Sequence, residues 1–161
     1  MRVVLDTNVL CSALITPGGL PDRLYQAWRE RRFVLITCEE QLEEFRRITR
    51  YPRVKPFIQA TAAGAMVNEL RRLALTVPEL PSVDRSRDPA DNFLLAMAQV
   101  GEADVLVTGD KHDLLSLNDF GKTRILTTRQ LLQELGGEKK ARFKRVSTKP
   151  RRRSGKRARS K

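Results

Sequence analysis

Five short apolar runs recur along the chain with longer stretches of helical character between them, and that alternation leaves few folds open. The runs are residues 2–5, Phe33-Val34-Leu35-Ile36, Leu75-Thr76-Val77, Val105-Leu106-Val107 and Arg124-Ile125-Leu126. Each reads as a strand. The first connection, from Asn8 to Leu14, looks helical and is broken by Pro17-Gly18-Gly19, after which residues 21–31 place Leu24, Ala27 and Trp28 at helical spacing. Thr37-x-x-Glu40 has the form of a capping box and opens a helix to about Arg50, before Pro52. Residues 57–75 carry Met66, Leu70 and Leu73 at helical intervals. Asp88-Pro89 puts a favoured cap and a favoured first residue at the start of the next helix, with Phe93, Leu94, Met97 and Ala98 on one side. Thr127-x-x-Gln130 caps a last helix that ends at Gly136-Gly137. Strands alternating with helices of this length imply crossover connections and a parallel sheet. The expected fold is α/β: a three-layer α/β/α sandwich around a five-stranded parallel sheet, within one domain.

Carboxylates stand at the ends of two of these strands. Val3-Val4-Leu5 runs into Asp6, and Val105-Leu106-Val107 runs through Thr108-Gly109 into Asp110. In open α/β sheets the C-terminal edge is where ligands bind. Taken singly, each acid has a structural explanation: Asp6 followed by Thr7-Asn8 suits an Asx-type cap, Asp88 an N-cap, and Asp91 the first turn of a helix. Glu44 is separated from Glu43 by the helical wheel. With Cys38 at zero, Cys38, Leu42, Phe45, Ile48 and Thr49 centre near ~350°, Glu44 falls at about 240° and Glu43 at about 140°. Glu44 therefore flanks the docking face, and Glu43 faces water. Asp113 is a reserve ligand or the cap of the Leu114-Leu115 segment. Several elements delivering oxygen donors to one edge suit Mg²⁺ or Mn²⁺, because clustered acids are costly without a cation.

At these residues the chain resembles the PIN-domain nucleases, and among them the VapC-like toxin components of toxin–antitoxin operons. The matching segments are Val-Val-Leu-Asp6-Thr-Asn-Val-Leu, Gln-Leu-Glu-Glu44-Phe-Arg-Arg-Ile with the following Tyr-Pro-Arg, Arg-Asp-Pro-Ala-Asp91-Asn-Phe-Leu-Leu-Ala, and Val-Leu-Val-Thr-Gly-Asp110-Lys-His-Asp-Leu-Leu. The resemblance implies that Asp6, Glu44, Asp91 and Asp110 bind one or two Mg²⁺ or Mn²⁺ ions. It further implies a homodimer and a small antitoxin protein that obstructs the site. The expected activity is metal-dependent endoribonuclease cleavage of single-stranded RNA, with Thr108 and Asn8 orienting ligands or water and Arg85, Arg87 and Lys111 holding phosphates. Two other readings remain. A haloacid-dehalogenase-like phosphatase shares the strand-end Asp and the later Gly-Asp-x-x-Asp spacing of Gly109, Asp110 and Asp113, but needs an acid where Asn8 stands. A non-catalytic RNA-binding protein of the same fold would rely on its basic tail.

That tail holds all of the surplus charge. Residues 138–161 carry 13 Lys and Arg against one acid, which leaves 18 basic and 18 acidic residues in 1–137. The expected organisation is a PIN-like domain over 1–137 and a disordered basic tail over 138–161, too poor in apolar residues to offset its ordering entropy. His112, the only histidine, rules out sites needing two, and Cys11 and Cys38 lack metal-ligand spacing. Asp6 and Asn8 interrupt the N-terminal apolar run, and no stretch approaches a membrane span, so a cytoplasmic protein with free thiols is expected.

Overall fold

The computed structural model describes residues 1–109 and 113–136. Asp110, Lys111, His112 and the whole expected tail, 138–161, lie outside the described residues, as does Gly137, where the last helix was expected to stop. The strands are β1 (Arg2–Leu5), β2 (Val34–Thr37), β3 (Leu75–Thr76), β4 (Val105–Val107), β5 (Asp119–Phe120) and β6 (Thr123–Leu126). The helices are α1 (Thr7–Ile15), α2 (Leu20–Arg29), α3 (Glu39–Thr49), α4 (Ala60–Leu73), α5 (Asn92–Val100) and α6, residues 128–136.

The strands form one sheet in the order β3-β2-β1-β4-β6-β5. Five of them are parallel, but the sheet has six strands and not the expected five: β5 pairs antiparallel with β6 at the edge. A two-residue turn joins them, and Gly121 takes its first position at φ +63°, a conformation that such hairpin turns require and that glycine adopts without a Cβ penalty.

Alternation along the strands builds two cores. Val3, Leu5, Leu35, Val105 and Val107 face a cluster with α1, α2, α3, α4 and α6, including Trp28, Phe45, Leu70 and Leu131. Val4, Ile36, Leu106 and Ile125 point the other way, into a cluster with Leu94, Leu95 and Met97 of α5. Strands with both faces covered read as continuous apolar runs, which is why they stand out in the sequence. Among the described residues no helix is long and apolar enough to cross a membrane.

Two local expectations differ at the helix starts. Thr37 does not cap α3. It remains in β2, fully buried and paired with Thr76 of β3, and its hydroxyl donates to Gln41 Oε1 at 2.9 Å; the N-cap position passes to Cys38, which makes no side-chain cap. At α6 the capping box forms: Gln130 N donates to Thr127 Oγ1 at 3.2 Å, and Thr127 N donates back to Gln130 Oε1 at 2.8 Å.

Where α5 ends, Gly101 lies against β2. A Cβ at Gly101 would stand 2.7 Å from Ile36 Cδ1, 2.8 Å from Ile36 Cγ2 and 3.1 Å from the Met97 carbonyl oxygen. Ile36 is fully buried and its Cγ2 has no freedom to swing aside. Gly101→Ala is therefore expected to lower stability by about 1–3 kcal/mol through overpacking; urea denaturation of the purified variant measures the loss.

Candidate active site at the sheet switch point

β1 lies between β2 and β4, and the chain leaves it in one direction towards β2 and β3 and in the other towards β4 and β6. The crevice outside the C-terminal ends of β1 and β4 is the topological switch point, the favoured ligand position in such sheets. Leu5 pairs with Val107, so Asp6 emerges beside Thr108.

Asp6 fills the structural role open to it from the sequence. It is the N-cap of α1, and Oδ1 accepts the Asn8 N–H at 2.9 Å. Its other oxygen, Oδ2, accepts the Thr108 hydroxyl at 2.7 Å, and its own N–H donates to the Val107 carbonyl at 2.8 Å. The carboxylate is thus only 5% exposed, at the mouth of the sheet, with its orientation set from two elements. Thr108 has the orienting role expected of it. The side chain of Asn8 is exposed, and its backbone is what serves Asp6.

Glu44 reaches the same place from α3. Its side chain is half-buried, Oε2 accepts the Thr7 hydroxyl at 2.5 Å, and Arg47 Nη2 lies 3.8 Å from Oε1. Thr7 is itself buried, directly after Asp6. Cys11, one turn farther along α1, faces both acids. Burial chiefly, then the charge of Glu44 and that of Asp6, push its thiol up to about 12, so it stays protonated beside them. Glu43 is exposed, as the wheel requires, but it lines the mouth of the cleft that Glu44 enters. That cleft, about 450 Å³, is walled by Glu40, Glu43, Glu44 and Arg47 on one side and Ala90 and Phe93 on the other.

The Ala90 wall carries Asp91. Pro89–Asp91 is a 3₁₀ turn capped by Asp88, whose Oδ1 accepts the Ala90 N–H at 2.9 Å. Asp88 therefore does the capping. Asp91, half-buried at the start of α5, makes no side-chain cap. Asn92 turns away: buried, it accepts the N–H groups of Arg85 and Ser86 at 3.0 and 2.9 Å and pins the preceding loop to α5. Arg85 and Arg87 are exposed on that loop. Asp113 precedes the 3₁₀ turn Leu114–Leu117 but does not cap it with its side chain. Among the described residues no three of His, Cys, Asp and Glu enclose a cation position; Asp6 and Glu44 converge at Thr7, Asp91 follows Ala90 of the cleft wall in the chain, and Asp110 is outside the described set. The convergent donors are carboxylate oxygens steadied by hydroxyls, a hard donor set that fits Mg²⁺ or Mn²⁺.

Two residues that position the site were missed in the sequence. Thr7 was passed over beside the more conspicuous Asp6. Gln41 falls at about 300° on the α3 wheel, inside the buried arc, and that was the available signal. It is 1% exposed, and Nε2 donates to the Leu5 carbonyl at 2.6 Å while Oε1 accepts from Thr37. It ties α3 to the strand end that leads into Asp6.

The family model described as PIN domain matches residues 2–112, a span that includes Asp6, Glu44, Asp91 and Asp110. An uncharacterized protein of Methanocaldococcus jannaschii is similar to the chain over 123 residues at 28% identity, covering 76% of this chain and 78% of that protein. No solved structure matches the chain significantly.

Gln41→Leu keeps the volume but leaves the buried Leu5 carbonyl and the Thr37 hydroxyl without their partner. A loss of about 1–3 kcal/mol is expected from the unpaired groups. Chemical denaturation checks it, and an unchanged midpoint would refute the role given to Gln41.

Proposed function

The chain belongs to the PIN-domain family, and from that premise we propose that it is a metal-dependent endoribonuclease cleaving single-stranded RNA, the toxin of a toxin–antitoxin pair. PIN domains are in general metal-dependent nucleases, so nuclease chemistry follows from the family. The single observation that carries the reading further is the convergence of Asp6 and Glu44, each held by a threonine hydroxyl at the switch point. The toxin role rests on the resemblance of the four acid-bearing segments to VapC-like proteins.

In this reading Asp6, Glu44, Asp91 and Asp110 hold Mg²⁺ or Mn²⁺. When bound, the cation supplies positive charge at the scissile phosphate and lowers the pKa of an attacking water. The chain's own part is positioning. Thr108 and Thr7 fix the lone pairs of Asp6 and Glu44, and Cys11, held protonated by burial and by the charges of both acids, offers no thiolate. A small antitoxin would occupy the cleft between α3 and α5, and the active form would be a cytoplasmic homodimer. The basic residues of 138–161 would raise the local concentration of a polyanion in a salt-dependent way.

Asp6→Asn and Asp110→Asn are expected to abolish cleavage of a labelled single-stranded RNA while circular dichroism shows the fold retained; Asp6→Asn, which loses the ionised acceptor of the Thr108 hydroxyl, should melt below the wild type. Chelation with EDTA should abolish it in the wild type, and added Mg²⁺ or Mn²⁺ should restore it. Deleting 138–161 should retain metal-dependent cleavage; a protein that then loses all of its RNA-directed properties is a tail-driven binder and not a nuclease.

The threonines give a finer test. Thr7→Val and Thr108→Val should each cost about 10–100-fold in metal affinity or activity, the usual effect of removing a group that orients a ligand. Thr7→Ser should recover most of it. The readout is the metal concentration for half-maximal cleavage, which a purely structural role would not shift.

A further inference from the structure

The flank where α3 ends and α4 begins carries chemistry that the proposed reaction leaves unused. Between Arg46 and Gln59 the chain has five cations, Arg46, Arg47, Arg50, Arg53 and Lys55, and no acid. The signs balance at 18 each over 1–137, so this is a local concentration of charge within a neutral domain. Arg46 lies 3.9 Å from Glu39 and Arg47 is tied to Glu44 at 3.8 Å. Arg50, Arg53 and Lys55 form no salt bridge among the described residues.

Two rings stand among these cations with their surfaces in water: Tyr51 is 45% and Phe57 67% exposed. Their chain neighbours Arg50, Lys55 and Ile58 line a cleft of about 420 Å³ between α3 and α4, with Arg46 on its wall and Phe45 and Val67 among its apolar lining. The segment is preformed. Val54 N and Lys55 N both donate to the Tyr51 carbonyl, at 2.9 and 2.8 Å, Phe57 N donates to Val54 O at 3.0 Å, and Ile58 is buried as an anchor. Pro52 and Pro56 restrict it further. Gln59 gives α4 no side-chain cap, so the positive end of a 14-residue helix adds to the field of the cleft. Gly64 in that wall has nothing within 4 Å of its Cβ position, which keeps the wall low.

We propose that this flank is a non-catalytic subsite for single-stranded polynucleotide, with bases stacking on Tyr51 and Phe57 and phosphates held by Arg50, Arg53 and Lys55. The inference rests on the reading of the chain as an RNA-cleaving enzyme, which supplies the ligand. Exposed ring faces set among cations are what sequence-tolerant single-strand binding uses, because every base offers a π-face and every nucleotide a charge. Arg47 connects the two regions: it lines the Glu44 cleft, and Arg50 follows it by about one turn. A strand held at Tyr51 is thereby led along α3 toward Asp6 and Glu44.

The test is fluorescence anisotropy with a labelled single-stranded RNA of about 12 nucleotides, within the range of single-strand sites, on the full chain carrying Asp6→Asn. Tyr51→Ser with Phe57→Ser leaves the net charge, and hence the pull of the basic residues of 138–161, unchanged. The affinity is expected to fall roughly tenfold or more. Arg50→Gln with Lys55→Gln should flatten the slope of log affinity against log salt by about 1.4. Tyr51→Leu with Phe57→Leu, which keeps apolar bulk, should lose affinity as the serine pair does, so a folding defect in one pair leaves the other decisive. Unchanged affinity and slope overturn the proposal. Cleavage by the unmodified chain is scored separately. Cleavage with unaltered variant binding removes the subsite and keeps the nuclease; lost binding in a chain that never cleaves does the reverse.

Discussion

The hydrogen bond from Thr108 to Asp6, 2.7 Å long and buried, is the contact on which the functional end of the molecule depends. A hydroxyl donating to an ionised carboxylate is worth about 1.5–3 kcal/mol, more than a neutral pair. Its position matters more than its strength, because it joins the ends of β1 and β4 at the switch point of the sheet. The same carboxylate caps α1, so α1 leaves the sheet in a fixed direction and presents Thr7 to Glu44. Gln41 completes the frame by tying α3 to the last carbonyl of β1. One strand end therefore sets the position of Asp6 and, through Thr7, that of Glu44, 37 residues farther along the chain from that threonine.

The structural and functional explanations of Asp6 are not competitors. As a cap it satisfies amides that α1 would otherwise leave open, and the geometry that capping imposes turns its second oxygen towards β4. Asp88 and Asp91 divide the same two duties between them. Asp88 accepts the Ala90 N–H, and Asp91, at the start of α5, makes no side-chain cap. The sequence already separates that pair, since Asp88 before Pro89 reads as the N-cap and Asp91 falls in the first turn.

The parallel core was legible because strands buried on both faces must be apolar along their whole length, and Val3-Val4-Leu5 and Val105-Leu106-Val107 satisfy that without ambiguity. The strand β5 was not, because Asp119-Phe120 is two residues long and half its surface is wet; the one signal was the Gly121-Lys122 turn before Thr123. Thr37 and Thr127 show how far a local motif can be trusted. Both begin a Thr-x-x-Glu/Gln pattern, but Thr37 is claimed by pairing with β3, and tertiary pairing outweighs a cap worth about 1 kcal/mol. At the site, Glu44 was legible from the wheel because burial is periodic. Thr7 was not, since nothing in a sequence says which hydroxyl will meet a carboxylate from another helix.

On the proposed reading, the charges of α3 are what let a neutral domain handle a polyanion. Its first turn carries Glu39 and Glu40 and its last turn Arg46 and Arg47, the arrangement that complements the helix dipole. That stabilising pattern also segregates the signs in space. The acids that suit a cation lie toward one end, where on their own they would repel phosphate. The cations lie toward the other and continue through Arg50, Arg53 and Lys55. From Glu44 to Arg50 is about 9 Å along the helix axis, close to the Debye length of about 8 Å at physiological ionic strength. At that spacing Arg50 still acts on a strand reaching the acids, whereas Arg47, 3.8 Å from Glu44, is paired with it directly. A domain with equal numbers of both charges can thus offer cations to the proposed polyanion beside the proposed metal site, with Arg47, 3.8 Å from Glu44, at the junction of the two.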